Sequence, residues 1–445
     1  MRFRRTRPRR LLLTALAMLM VAATGAACGN DRPDNELLVW TSLGGEIDMA
    51  PQRQIIAEFE KRNPGVKVQI VPKSGRFTGD NTALIAAVRA KEPPDVFITD
   101  RFTVANQASI GLLTNLSELA GEEADELAKQ YLPFAIAEAS YNGDLYALPF
   151  DTDARGLYYN KQVLRDAGID PDVLDPRHGP PTIAEVMEIA DKITQTDERG
   201  NYTRLGIIPW DGQAFHATWG LINRAQWYDE KTCEITATSP GWLKTFRQFD
   251  EWARKLDFQK VQAYLATYRP PNADPSTSPF YTGRLGMAID GNWQLASIKK
   301  YAPDLDFGVT WLPVPEEGDP PLTWSGGFAL VMPKGVKNPD LVWKFMKFYA
   351  GEEGQRIYAK GASKIPTWKS LINDESVTGE QGIFPSMMEH STNRPALPVG
   401  AQISDAMDAA QSGVLLGELT PEEATQQVQD RVGPQMKQFC PFTLT

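Results

Sequence analysis

Cysteine and histidine are nearly absent: three of each in 445 residues. So few thiols rule out a disulfide-built scaffold or a cysteine-ligated cluster. His178, His216 and His390 are scattered, with no HExxH zinc pair, so no metal or cofactor is expected. A GxSxG nucleophile elbow, a GxGxxG turn and a phosphate-cradling P-loop are also missing. Beyond residue 27 no apolar run is long enough for a transmembrane helix. Positive charge is in deficit. The formal charge is -10, and it falls to -16 without residues 1–27, which hold six Arg and no acid. A chain this acidic lacks the basic footprint that nucleic acid demands.

What basic charge there is clusters at the start. Arg2, Arg4, Arg5, Arg7, Arg9 and Arg10 precede the apolar residues 11–23, a stretch too short to span a bilayer. Gly25, Ala26 and Ala27 then lead into Cys28. Residues 1–27 read as a signal peptide, with Arg9-Arg10 leaving either Sec or twin-arginine export open. Cys28 resembles the lipidated first residue of a bacterial lipobox, although Gly25 stands where Leu is usual. Residues 28–36 are short and polar, a tether that would anchor the chain to the outer face of the cytoplasmic membrane. The other two thiols, Cys233 and Cys440, are expected to pair in an exported protein.

The remaining length suffices for two lobes, each with its own core. Residues 37–40 read as a strand, 51–62 as a helix, 66–71 as a strand, 80–91 as a helix and 95–98 as a strand. That alternation implies a doubly wound α/β sheet, with ligand held beyond the carboxyl ends of its strands. The turns after Trp40, around Arg76-Phe77 and at Asp100-Arg101 fall on that rim. Further on, residues 205–208 and 307–312 read as strands and 242–256 as a helix. Eight of the eleven tryptophans lie between Trp210 and Trp324.

The segment YALPFDTDARGLYYNK, residues 146–161, concentrates polar chemistry. Residues two apart in an extended chain point the same way, so Asp151, Asp153 and Arg155 are expected on one face. Ionised carboxylates offer several acceptor sites to a polyhydroxylated ligand, and Arg155 is free either to join them or to pair with one. Aromatic rings match the C–H faces of a sugar. Trp293, Trp324 and Trp210 are the leading stacking candidates, followed by Trp40, Trp219 and Trp227 with Tyr228. Asp211 follows Trp210, while Asp290 and Asn292 precede Trp293. Gly326 and Gly327 would let a ligand approach the backbone closely. Paired carboxylates also suit a secreted glycoside hydrolase, but two on one segment are poorly placed to flank a glycosidic bond.

Four blocks, in order, resemble the solute-binding proteins of sugar-importing ABC transporters. The segment FYTGRLGMAIDGNW, residues 280–293, is similar to the pattern F-x-x-G-x-x-A-M-x-x-x-G-x-W, with Gly286 where Ala is usual. The run DVFITDRF, residues 95–102, resembles the maltose-binding branch, but lacks the tryptophan expected before Asp100-Arg101. Residues 146–161 match the first passage between lobes, and residues 325–349 the returning strand and helix. The resemblance implies two α/β lobes of the periplasmic-binding-protein type II fold, joined by three crossings near residues 147–151, 319–323 and 360–366. Lobe 1 would be 37–148 with 323–362, and lobe 2 would be 149–322 with 363–445. It implies a monomeric lipoprotein that captures a mono- or oligosaccharide by hinge closure and presents it to a permease, without turnover. Asp153 takes the position that offers a carboxylate to sugar hydroxyls. Asp100 and Arg101 offer a further polar pair, or else a surface ion pair. A polyamine or another polar solute is the alternative ligand.

Overall fold

A computed structural model describes residues 32–73 and 81–444. The signal peptide, Cys28 and the Arg76-Phe77 turn lie outside the described residues. The first hydrophobic core forms against a five-stranded sheet. Along strand Glu36–Thr41, Leu37, Val39 and Thr41 alternate with less buried neighbours, so one face is sealed. This strand pairs in parallel with Lys67–Pro72 on one side and Val96–Asp100 on the other. Helix Glu46–Arg62 makes the first crossover, burying Ile55, Ile56 and Phe59. Phe328–Val331 then pairs antiparallel with Val96–Asp100 and with Ala147–Pro149. The sheet is therefore parallel where helices connect strands and antiparallel where the chain returns from the other lobe.

The second core surrounds a three-stranded sheet in which Arg155–Asn160 lies between Met287–Gly291 and Phe307–Thr310. Both neighbours run antiparallel to it, so the doubly wound pattern belongs to the first lobe. Residues 205–208 do not form a strand; Leu205 makes one bridge, to Leu285. The Gly206 N–H donates to Thr194 Oγ1 instead of to a ladder partner, and Gly206 abuts the Ala190 backbone too closely for any Cβ. Helix Pro240–Lys255 buries Trp242, Phe246, Phe249 and Trp252. Cys233 and Cys440 are joined by a disulfide.

The chain leaves the first core after Phe150 and enters the second at Ala154. It returns between Trp324, which still packs in the second core, and Phe328, later than the expected 319–323. Residues 360–366 touch the second core only through Ile365. Thr367 then hydrogen-bonds Pro149 O and Gln355, Trp368 meets Tyr131 edge-on, and Leu371 and Val377 pack on Ala359. Apolar side chains thus hold much of this stretch to the first lobe, while Ile372 and Ile383 already pack on the second core that Phe384 enters.

Candidate functional site

Between the two cores, the crossings bring together charged groups that are far apart in sequence. Asp151 Oδ1 accepts from the Phe328 N–H at 2.5 Å, and Asp153 Oδ1 from the Gly326 N–H at 2.6 Å. The spacing-two expectation holds for one pair: the Arg155 Nη1 donates to Asp153. The Arg155 Nε donates to Gln213 at 3.2 Å. Its guanidinium lies 3.4 Å from the Trp324 ring centroid and 5.1 Å from that of Trp293, a desolvated cation–π arrangement worth about 2 kcal/mol. Lys364 Nζ sits 3.8 Å from Asp151 Oδ2 and 4.6 Å from the Trp293 ring. One nitrogen of Arg394 reaches both Asp100 oxygens, at 2.9 and 3.0 Å. Arg101 Nε donates to Glu138 at 2.8 Å, and its two terminal nitrogens donate to Asp151 O and Gly326 O.

Four carboxylates, Asp100, Glu138, Asp151 and Asp153, therefore meet four cations, Arg101, Arg155, Lys364 and Arg394. Burial raises the Asp151 carboxyl to about 7; Asp153 adds repulsion, and Lys364 at 3.8 Å only partly offsets it. Burial also works against Asp153, yet Arg155, Lys364 and the Gly326 N–H hold it below the usual carboxylate range. Glu138 is pushed up by burial despite Arg101. Asp290 rises to about 6 for the same reason, although it accepts from the Gly291 N–H.

Of the expected site residues, Asp100, Arg101, Asp151, Asp153, Arg155, Trp293, Trp324, Gly326 and Gly327 converge here. Their accessibility differs. Trp293 is half-buried, whereas Trp324 is 3% exposed, donates its indole N–H to Thr218 and carries Arg155 on its face. Trp324 thus stacks on an arginine rather than presenting an open ring. Arg101 is 0% exposed, a buried clamp and not a surface ion pair.

Other candidates lie elsewhere. Trp219 is 0% exposed, with its N–H on Pro209 O and Ala214 O and its ring against Trp252; it is a core residue. Trp210 is buried against Phe258. Trp227 packs edge-on against Trp242, and with Tyr228 it lines a surface groove. Asp211 is held by a forked pair to Arg269, at 2.6 and 2.7 Å. Trp40 carries Lys73 over its ring at 4.0 Å. Asn292 accepts from the Ala154 N–H and donates to Ser363 O.

Lys364, Arg394, Glu138 and Gln213 were not legible as site residues. Lys364 fell within an expected crossing, which was the one available signal. Across the lobes, Lys300 pairs with Glu46 at 2.6 Å. Among the described residues no group of three His, Cys, Asp or Glu could hold a metal ion.

The family model described as bacterial extracellular solute-binding protein matches residues 44–356. The maltotriose-binding protein of Pyrococcus abyssi is 27% identical over 376 residues, covering 82% of this chain and 71% of its own. The sn-glycerol-3-phosphate-binding periplasmic protein UgpB of Escherichia coli K12 is 26% identical, covering 93% and 95%. Among solved structures, CpMnBP1 with mannobiose bound has a TM-score of 0.78 at 24% identity, covering 89% of this chain and 99% of its own. The GacH receptor of Streptomyces glaucescens has a TM-score of 0.72 at 24% identity, covering 90% and 98%. At such identity these structures speak for the fold, the two-lobed α/β architecture.

Proposed function

The chain belongs to the bacterial extracellular solute-binding protein family, and on that premise we propose that it is the substrate-binding subunit of a carbohydrate ABC importer. It captures a neutral mono- or oligosaccharide between its lobes and delivers it to the permease without turnover. The observation that carries this reading is the charge balance around Trp293. Each cation there faces a carboxylate, so a phosphate finds no unpaired cation, whereas hydroxyls can share donors and acceptors already in place. Trp293 supplies the ring, backed by Arg155 and Lys364. The names of the maltotriose-binding and mannobiose-bound relatives favour a saccharide; that of the glycerol-phosphate relative makes the phosphate ester the competitor to exclude. Hydrolysis is disfavoured because Asp151 and Asp153 are both engaged with backbone N–H groups and cations.

Thermal shift followed by calorimetry with mannobiose, maltotriose, sn-glycerol-3-phosphate and spermidine tests this. Stabilisation by a neutral saccharide is expected. Stabilisation by the phosphate ester or the polyamine alone overturns the ligand class, and release of shorter sugars overturns binding without turnover. Export through residues 1–27, lipidation at Cys28 and a monomeric state complete the proposal. Cys28→Ser should shift the protein from the membrane fraction to the medium; unchanged membrane retention refutes the anchor. No described helix is long and apolar enough to cross a membrane.

A further inference from the structure

Arg101 and Asn292 grip the hinge from opposite lobes. Arg101, fully buried at the end of the first-lobe strand Val96–Asp100, donates one terminal nitrogen to Asp151 O on the first crossing and the other to Gly326 O on the second. Glu138, on the same lobe and also buried, takes the Nε–H and balances the charge. The Arg101 N–H adds a third tie, to Gly327 O at 3.0 Å. From the second lobe, the buried Asn292 accepts from the Ala154 N–H at 3.2 Å and donates its own N–H to Ala154 O at 3.2 Å. On the second crossing, Thr323 exchanges hydrogen bonds with the Arg155 backbone, and Ser325 pairs with Ser391.

Asp151 is thus fixed to one lobe and Ala154 to the other, with only Thr152 and Asp153 between them. On the second crossing, Ser325 is fixed to the second lobe and Gly326 O and Gly327 O are both held by Arg101, so the change of lobe falls at the Ser325–Gly326 link. We propose that Arg101 and Asn292 are positioning residues of the hinge, confining lobe movement to Thr152–Asp153 and to the Ser325–Gly326 link. Arg101 therefore acts on ligand capture through the backbone it holds and not through a ligand contact. Because Asp153 lies inside the pivot, closure turns its carboxylate and its Arg155 partner together. The purpose of such a pivot rests on the solute-binding reading; its test does not.

The test measures distances between the lobes in ligand-free full-length protein. Fluorophores on non-natural residues at the exposed positions 92 and 198 report the distance by single-molecule energy transfer. Arg101→Lys keeps a charge opposite Glu138 but, as a point donor, cannot bracket two carbonyls as the planar fork does. It should shift and broaden the distance distribution while near-UV circular dichroism stays native, and Arg101→Gln should do so further. An unchanged distribution in the folded variants overturns the proposal. So does an unchanged distribution with maltotriose or mannobiose binding lost, which would make Arg101 a ligand contact. If neither Arg101 variant folds, Asn292→Ala decides in the same way: broadening supports the clamp, and an unchanged distribution refutes it. Absence of saccharide binding in the wild type would overturn the proposed function and leave the distance result intact.

Discussion

Alanine at position 327 perturbs the hinge at its tightest point. Gly327 has φ +133°, and a Cβ there would come closer than 3.0 Å to both Arg101 Nη1 and Asp151 O. The positive φ alone costs a side chain about 1–3 kcal/mol. The clash must move a buried guanidinium or a crossing carbonyl, adding about 1–3 kcal/mol. If Arg101 yields, it gives up a charge-assisted hydrogen bond worth about 1.5–3 kcal/mol. Near the low end of each range the sum is about 4 kcal/mol. Gly318 provides the control, because its φ is +85° but nothing lies within 4 Å of its Cβ position. Gly318→Ala should therefore cost only about 1 kcal/mol. Urea unfolding of both variants, compared by midpoint at constant slope, reads the difference. A gap under about 1 kcal/mol would show that Arg101 and Asp151 do not hold the positions described.

Asp151 binds its proton more tightly folded than unfolded, since burial raises it to about 7. Its contribution is therefore fully present at low pH and declines as pH rises from about 4 towards 7, by up to about 4 kcal/mol. Asp290, raised to about 6, acts in the same direction. Urea midpoints from pH 5 to 8 should fall for the wild type and fall less for Asp151→Asn; equal slopes refute the assignment. The Cys233–Cys440 disulfide spans 207 residues, and in the chain-entropy model that closure is worth about 5 kcal/mol. The double serine variant should unfold at lower urea with saccharide affinity retained; an unchanged midpoint contradicts this. Trp293→Ala should weaken saccharide binding by more than about tenfold, or 1.4 kcal/mol, with little loss of stability. Trp219→Ala should cost about 3–5 kcal/mol of stability, without a separate loss of affinity in the folded fraction. The opposite pattern in titration calorimetry and urea unfolding would exchange their roles.

Local patterns carried much of the architecture. Alternation along residues 37–41 and the helical spacing of Ile55, Ile56 and Phe59 are properties of short segments, and they set the first β-α-β unit. The antiparallel second sheet was not legible, because Arg155–Asn160 is buried at all six positions and shows no alternation from which to read its neighbours. Residues 205–208 look like a strand because their side chains are buried, while backbone pairing reaches only Leu205 and Gly206. Tryptophan identity could not separate a ring in the core from one in the cleft. Trp219 and Trp293 differ in accessibility, which depends on what the rest of the chain packs against them.

The sequence by itself determined the two-lobe α/β class and put Asp151, Asp153 and Arg155 together at the first crossing, because each rests on spacing or on a contiguous motif. Only the tertiary structure decided how those charges are balanced. Lys364, Arg394 and Glu138 come from segments hundreds of residues apart, or from no recognisable motif, and they meet the acids because three passages of chain share one hinge. Ion pairing and burial are properties of that meeting, and they turn an acidic run in the sequence into a balanced site and Arg101 into a clamp on the backbone.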